Sequence, residues 1–133
     1  MREIKFRGRC VNSNEWVYGD LIHGVMFKSG NLYILPNKKN LAYVKHCDPL
    51  DGVKVNPKSV GQYTGLKDKN GKDIYEGDKW GNIQRVDGFA IVVMHEGRWC
   101  LKWNNGSFGD LFTHVMTKEG EVIGHIYENP ELL

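Results

Sequence analysis

Apolar and polar positions along the chain alternate with period two over short stretches. Turn residues punctuate them, and the pattern predicts short antiparallel strands. Glu3 to Arg7 sets Ile4 and Phe6 on one face and charges on the other. Asn12-Ser13-Asn14 turns the chain into a hairpin partner, Glu15 to Ile22, with Trp16 and Tyr18 as aromatic surface. Leu32 to Leu35 predicts a short buried strand, ended by Pro36, which has no N–H for a ladder. Asn37 to Asn40 is a polar loop, Leu41 to Val44 a weak strand, and Asp48 to Gly52 a turn. A further strand follows over Val53 to Pro57.

In the second half, Gln62-Tyr63-Thr64 is strand-like, and Leu66 to Ile74 carries Asn70-Gly71 between apolar ends. That dipeptide predicts a hairpin closed by a type I′ turn, whose two central residues need positive φ. Gly77-Asp78 opens the last third. Phe89 to His95, the most hydrophobic run, predicts a central strand, and Glu96-Gly97 turns it into Arg98 to Trp103. Alternation there sends Trp99, Leu101 and Trp103 inward, and Arg98, Cys100 and Lys102 outward. Asn104-Asn105-Gly106 ends that strand. Asp110 to Met116 is the one helical stretch, with Asp110 as its N-cap. Glu121 to Tyr127 is the closing strand, and Asn129-Pro130-Glu131 caps a turn that tucks Leu132 and Leu133 against the body.

Composition agrees with a β reading. The 133 residues include 16 glycines and only Ala42 and Ala90 as alanines, which excludes an all-helical fold. The run Gly88 to His95 is too short to cross a bilayer, and the charged start Arg2-Glu3-Ile4-Lys5 is no signal peptide. A soluble protein of the cytoplasm is expected. Composition does not name a function.

The net charge of +2 hides an asymmetry: residues 1–60 carry +5 and residues 61–133 carry −3. The basic half offers Arg7, Arg9, Lys38, Lys39 and Lys45 as candidate phosphate contacts, yet lacks a dense basic cluster. In Arg98 to Trp103 the cations and tryptophans fall on opposite faces, which favours core packing over base stacking. Opposite halves also suit docking of one copy on another.

Other chemistry finds little footing. Cys10, Cys47 and Cys100 are odd in number and scattered, so they are expected as small buried hydrophobes without a disulfide. No close pair of cysteines has zinc spacing, and adjacent His46-Cys47 point to opposite faces of a strand. Asp68 to Asp73 fails as a calcium loop, because Asp73 stands where Gly is required and Lys79 where a bidentate Glu is required. None of the four serines lies in a nucleophile elbow, and no glycine-rich phosphate loop is present. Glu76 and Asp78 straddle a glycine turn, an ordinary turn arrangement. No cofactor, no metal and no catalytic residues are expected.

Three stretches in order, KFRGR with EWVYGDLI (5–9 and 15–22), VGQYTGLKDKNGKDIYEGD (60–78) and GHIYENPELL (124–133), resemble the YopX family of phage and prophage proteins. The resemblance implies a small β-rich protein of a bacterial host, with an SH3-like barrel after the Gly-Asp turn, and carries over no catalytic residues. Lys79-Trp80 stands where the resemblance implies an apolar pair, and His125 where it implies Asn. The shared residues Gly61, Tyr63, Gly65, Asn70, Gly71, Tyr75, Gly77, Asp78, Tyr127 and Pro130 are turn glycines, half-buried tyrosines and caps, the chemistry of a fold or an assembly.

The expected architecture is mainly β, with little helix: an N-terminal β-rich lobe over 1–60 and an SH3-like barrel over 61–133, with a single integrated domain as the alternative to two. The expected function is a non-catalytic phage-encoded interaction module that self-associates or meets a phage or host protein, with no membrane. Nucleic-acid binding through the basic half is the alternative. Four Trp, six Tyr and five Phe are many for so small a fold, and Trp80 and Phe27 sit in contexts where burial within one copy looks difficult.

Overall fold

The computed structural model describes residues 3–23, 31–36, 52–82 and 88–128. It is mainly β, with two antiparallel sheets of six and five strands and one short helix. The chain divides into two compact units, residues 1–62 and 63–133.

In the N-terminal unit, β1 (Phe6–Arg9), β2 (Trp16–His23), β3 (Leu32–Pro36) and β4 (Val53–Val55) form the order β4-β3-β2-β1. The sheet then continues through β5 (Gly61–Lys67) to β6 (Asp73–Tyr75). Gly61 and Gln62 pair with Arg7 and Phe6 of β1. Register places Phe6, Gly8, Val17, Leu21, Ile34, Val53 and Val55 on one face, and the core forms there, joined by Cys10. Gly8 belongs to that face because an added Cβ would lie 2.9 Å from Val55 Cβ.

The opposite face carries Arg7, Arg9, Trp16 and Tyr18. The strand starts three residues later than its pattern predicts, so Ile4 precedes it and is 58% exposed. Val53 to Pro57 is likewise shorter as a strand. Pro57–Ser59 is a 3-10 turn, because Asn56 caps it by accepting from Lys58 N–H at 3.0 Å.

The C-terminal unit holds β7 (Asp78–Gly81), β8 (Phe89–His95), β9 (Arg98–Trp103), β10 (Phe108–Asp110), helix α1 (Leu111–Met116) and β11 (Glu121–His125). The five-stranded order is β10-β9-β8-β7-β11, with β8 at the centre. Four strands meander and the last returns to pair with the first. Among the described residues the hydrogen bonding leaves β10 and β11 as edges, so the sheet is open and the expected barrel is not closed. Strands β7 and β10 escaped the sequence pattern because Asp78-Lys79-Trp80-Gly81 and Phe108-Gly109-Asp110 each hold a single large apolar residue and so show no alternation.

The core of this unit is Ile74, Trp80, Ala90, Val92, Leu101 and Leu111, with Leu66, Trp99, Trp103, Val115 and Val122 packed around it. Trp80, expected to resist burial, is enclosed, and its indole N–H donates to the Glu119 carbonyl at 3.0 Å. Lys79 is buried on the opposite face of β7, its ammonium 5.4 Å over the Phe89 ring, a cation–π contact.

Cys100 corrects the alternation on β9, because it is fully buried on the face expected to be outward. Register puts His95, Cys100 and Phe108 on that face, and the His95 and Phe108 rings stack at 3.9 Å. A contact between rings from β8 and β10 must pass over β9. Cys100 lies between the β9 positions that pair with them.

The Asn70-Gly71 hairpin is present, with a different turn. Gly71 has φ +80, but Asn70 is not among the residues with positive φ. Gly71 N–H donates to the Asp68 carbonyl at 2.9 Å, and Asp68 Oδ1 accepts from the Asn70 and Lys72 N–H groups. The tip is therefore a three-residue type of loop with glycine at its left-handed position. Open space surrounds Gly71, with no atom within 4 Å of an added Cβ. Gly71→Val is expected to destabilise through backbone strain alone, by at least about 1 kcal/mol. An unchanged denaturant midpoint would remove the turn assignment.

Candidate functional site

The two arginines proposed for phosphate lie beside one indole. Arg7 and Arg9 are two residues apart on β1, and their guanidinium carbons sit 4.8 and 5.0 Å from the Trp16 ring centroid. Arg7 is only 6% exposed, and Arg9 donates from a terminal guanidinium nitrogen to the Asn14 carbonyl. Cation–π stacking and burial engage both groups, which leaves Arg7 little surface for a phosphate. Lys38, Lys39 and Lys45 lie outside the described residues, as do Phe27, His46, Cys47, the strand expected over Leu41 to Val44 and the closing turn with Pro130, Leu132 and Leu133.

The residues of the central motif form a fastening within the C-terminal unit. Asp78 is buried, and its Oδ2 accepts from Tyr75 N–H at 2.8 Å, closing the Tyr75-Glu76-Gly77-Asp78 turn. Gly77 (φ +89) donates to the Val92 carbonyl and accepts from Ile126 N–H. An added Cβ at Gly77 would stand 3.0 Å from His125 Nε2, so the histidine packs on the bare glycine. His125 Nδ1 accepts from Tyr127 N–H at 2.9 Å, which assigns the ring proton to Nε2 in the neutral form. Tyr63 and Tyr75 face each other across β5 and β6 at 5.4 Å. Gly65, at φ +86, sits in the bulged part of β5, and Gly61 lies buried at its start.

Helix α1 presents a second kind of surface. Asp110 occupies the N-cap, but its carboxylate accepts from the Thr113 hydroxyl at 2.8 Å rather than from a backbone N–H. That hydroxyl holds the Asp110 carboxyl below its ordinary pKa. Leu111 and Val115 face the core. Phe112 and Met116, one turn apart on another face, are 54% and 66% exposed, and Phe108 on the preceding strand is 43% exposed. The sequence contained this helix but not its orientation, since the Leu111/Val115 and Phe112/Met116 pairs have the same spacing.

Beyond the helix lies a groove of about 610 Å³, lined by Lys69, Trp80, Asn82, Trp103, His114 and Lys118, with Gly81, Gly88, Glu119 and Gly120 completing its wall. Strand pairing, a turn and a helix end bring these residues together from positions up to 51 apart, and sequence reading did not find them. Among the described residues no three of His, Cys, Asp and Glu gather to hold a metal ion, and no helix is long and apolar enough to cross a membrane. Cys10 and Cys100 are buried and free.

No curated protein matches the chain. The crystal structure of protein EF1440 from Enterococcus faecalis is similar at 20% identity, with a TM-score of 0.59, over 100% of this chain and 99% of that one. That likeness shows the fold. The family described as YopX protein matches residues 5–133, nearly the whole length, and includes the fastening around Gly77 and Asp78. The chain thus belongs to the YopX family.

Proposed function

We propose that this protein is a non-catalytic, phage-encoded interaction module that associates with further copies of itself. The observation that carries the reading is the pair Phe112 and Met116 on α1, two large apolar side chains one helical turn apart that both face solvent. Apolar side chains gathered on one element mark an interface more often than singly scattered ones do. The partner is the N-terminal unit of a second copy. It exposes Ile4, Val11 and Ile22. Its net charge of +5 complements the −3 of the C-terminal unit, whereas like units facing each other would repel. Such a head-to-tail contact closes into a ring when its rotation permits.

Sedimentation equilibrium at micromolar concentration tests this. An oligomer that weakens with salt, and that Phe112→Asp with Met116→Asp reduces to a monomer, is expected. A monomer of 15.2 kDa at both low and moderate salt would sink the proposal and shift weight to a nucleic-acid or protein binder.

A further inference from the structure

We propose that the groove at the C-terminal end of α1 binds a nucleoside monophosphate unit, with the ring against Trp103 and the phosphate between Lys69 and Lys118. This goes beyond self-association and does not depend on it. A groove of about 610 Å³ lies within the range of small-molecule sites. Its lining combines the part-buried Trp103 indole, the Asn82 amide for a ring edge, the His114 imidazole as a further hydrogen-bonding group, and two ammonium groups against the single carboxylate of Glu119. That balance of charge selects an anion.

The most telling residue is Lys118. The helix ends in a complete Schellman arrangement: Glu119 N–H donates to the His114 carbonyl at 3.0 Å, and Lys118 N–H to the Val115 carbonyl at 3.2 Å. The residue at the left-handed position of that motif is usually glycine, sometimes asparagine. Here it is a lysine held at φ +58, one of three non-glycine residues with positive φ among the described residues. Strained backbone retained against a cheaper residue points to a use for the side chain, and Lys118 lines the groove.

The remaining walls are pinned before any ligand arrives. Lys69 sits on the hairpin tip, which Asp68 Oδ2 ties to β11 by accepting from Val122 N–H at 3.2 Å, and which Asn70 ties to Glu121. The Trp80 indole holds the Glu119 carbonyl, and the chain at Gly120 (φ +91) lies directly on that ring. His114 Nδ1 lies 3.0 Å from the Asp110 carbonyl and so carries a proton, which directs its lone pair to Nε2 when neutral. Gly109 leaves room for His114 and Trp103 together, since an added Cβ would be 3.3 Å from both rings. Backbone held in this way lowers the ordering cost of binding, although the two lysine side chains themselves must still settle on the phosphate.

Binding to the full chain is followed by tryptophan fluorescence and calorimetry, with adenosine 5′-monophosphate, adenosine, inorganic phosphate and a ten-nucleotide oligothymidylate as probes. The monophosphate is expected to bind more tightly than adenosine or phosphate. Lys118→Gly and Lys69→Met are each expected to weaken it by about tenfold, the worth of one charge-assisted hydrogen bond. Lys118→Gly is expected to keep or raise the melting temperature, which separates a binding role from a structural one. Lys102→Met, an exposed lysine outside the groove, is expected to change nothing. Oligothymidylate binding with the same dependence on Lys69 and Lys118 identifies a nucleotide within a single strand as the source, and monophosphate binding alone identifies a free nucleotide. The proposal is overturned if neither probe binds, or if Lys102→Met weakens binding as much as the groove variants do.

Discussion

A Gly19→Ala chain is expected to lose about 3 kcal/mol or more of stability, the upper range for overpacking a closed site. Gly19 lies in the middle of β2, opposite Phe6 of β1 and Pro36 of β3. An added Cβ would stand 2.0 Å from the Leu35 carbonyl oxygen and 2.9 Å from its carbon. Those are backbone atoms of a paired strand, so no side-chain rotation relieves the clash. The strands must separate, and with them the face that carries Leu21, Ile34 and Val53. Gly65→Ala is the matched control. Gly65 has φ +86 with no atom within 4 Å of its added Cβ, so only the left-handed backbone is penalised, by about 1 to 2 kcal/mol. Urea midpoints for the two variants decide the matter. Equal losses would mean that β2 and β3 are not in the register described.

Trp80→Ala is expected to cost about 3 to 5 kcal/mol, because it empties the largest buried position of the C-terminal core. The loss also strips the Glu119 carbonyl of its indole donor. The informative experiment couples this residue to Gly120, whose added Cβ would lie 2.4 Å from the indole nitrogen. In the wild-type background Gly120→Ala carries that collision as well as the strain of φ +91. In the Trp80→Ala background the ring is gone, and only the backbone cost of about 1 to 2 kcal/mol remains. The double-mutant cycle should therefore be non-additive by 1 kcal/mol or more, as about 0.5–3 kcal/mol is typical of residues in contact. Simple additivity would place the indole somewhere other than beneath Gly120.

Much of the β pattern was legible because its signals are local. Phe89 to His95 and Arg98 to Trp103 were both expected and both form, joined by the Glu96-Gly97 turn. The hairpin at Asn70-Gly71 was expected too. Its turn type was not, because Asp68 supplies acceptors that favour a longer loop over the two-residue alternative. The candidate groove was not legible at all. Lys69, Asn82, Trp103 and Lys118 share no spacing, and the one clue, a lysine at the left-handed end of a helix, exists only once the backbone conformation is known.

By itself the sequence determined which positions alternate and where the chain turns, since period-two polarity and glycine-bearing turns act over a few residues. It also carried the family motif from Val60 to Asp78, whose glycines and aspartates close turns locally. Only the tertiary structure decided which alternating face is covered. Arg7 is buried under a polar pattern, because it stacks toward Trp16. Cys100 is buried because rings from the two neighbouring strands meet above it. Leu111 and Val115, rather than Phe112 and Met116, enter the core, although both pairs are one helical turn apart. Periodicity sets the relation between side chains on one element. Burial depends on the partner that arrives from elsewhere in the chain, and the hydrophobic effect rewards whichever face that partner covers.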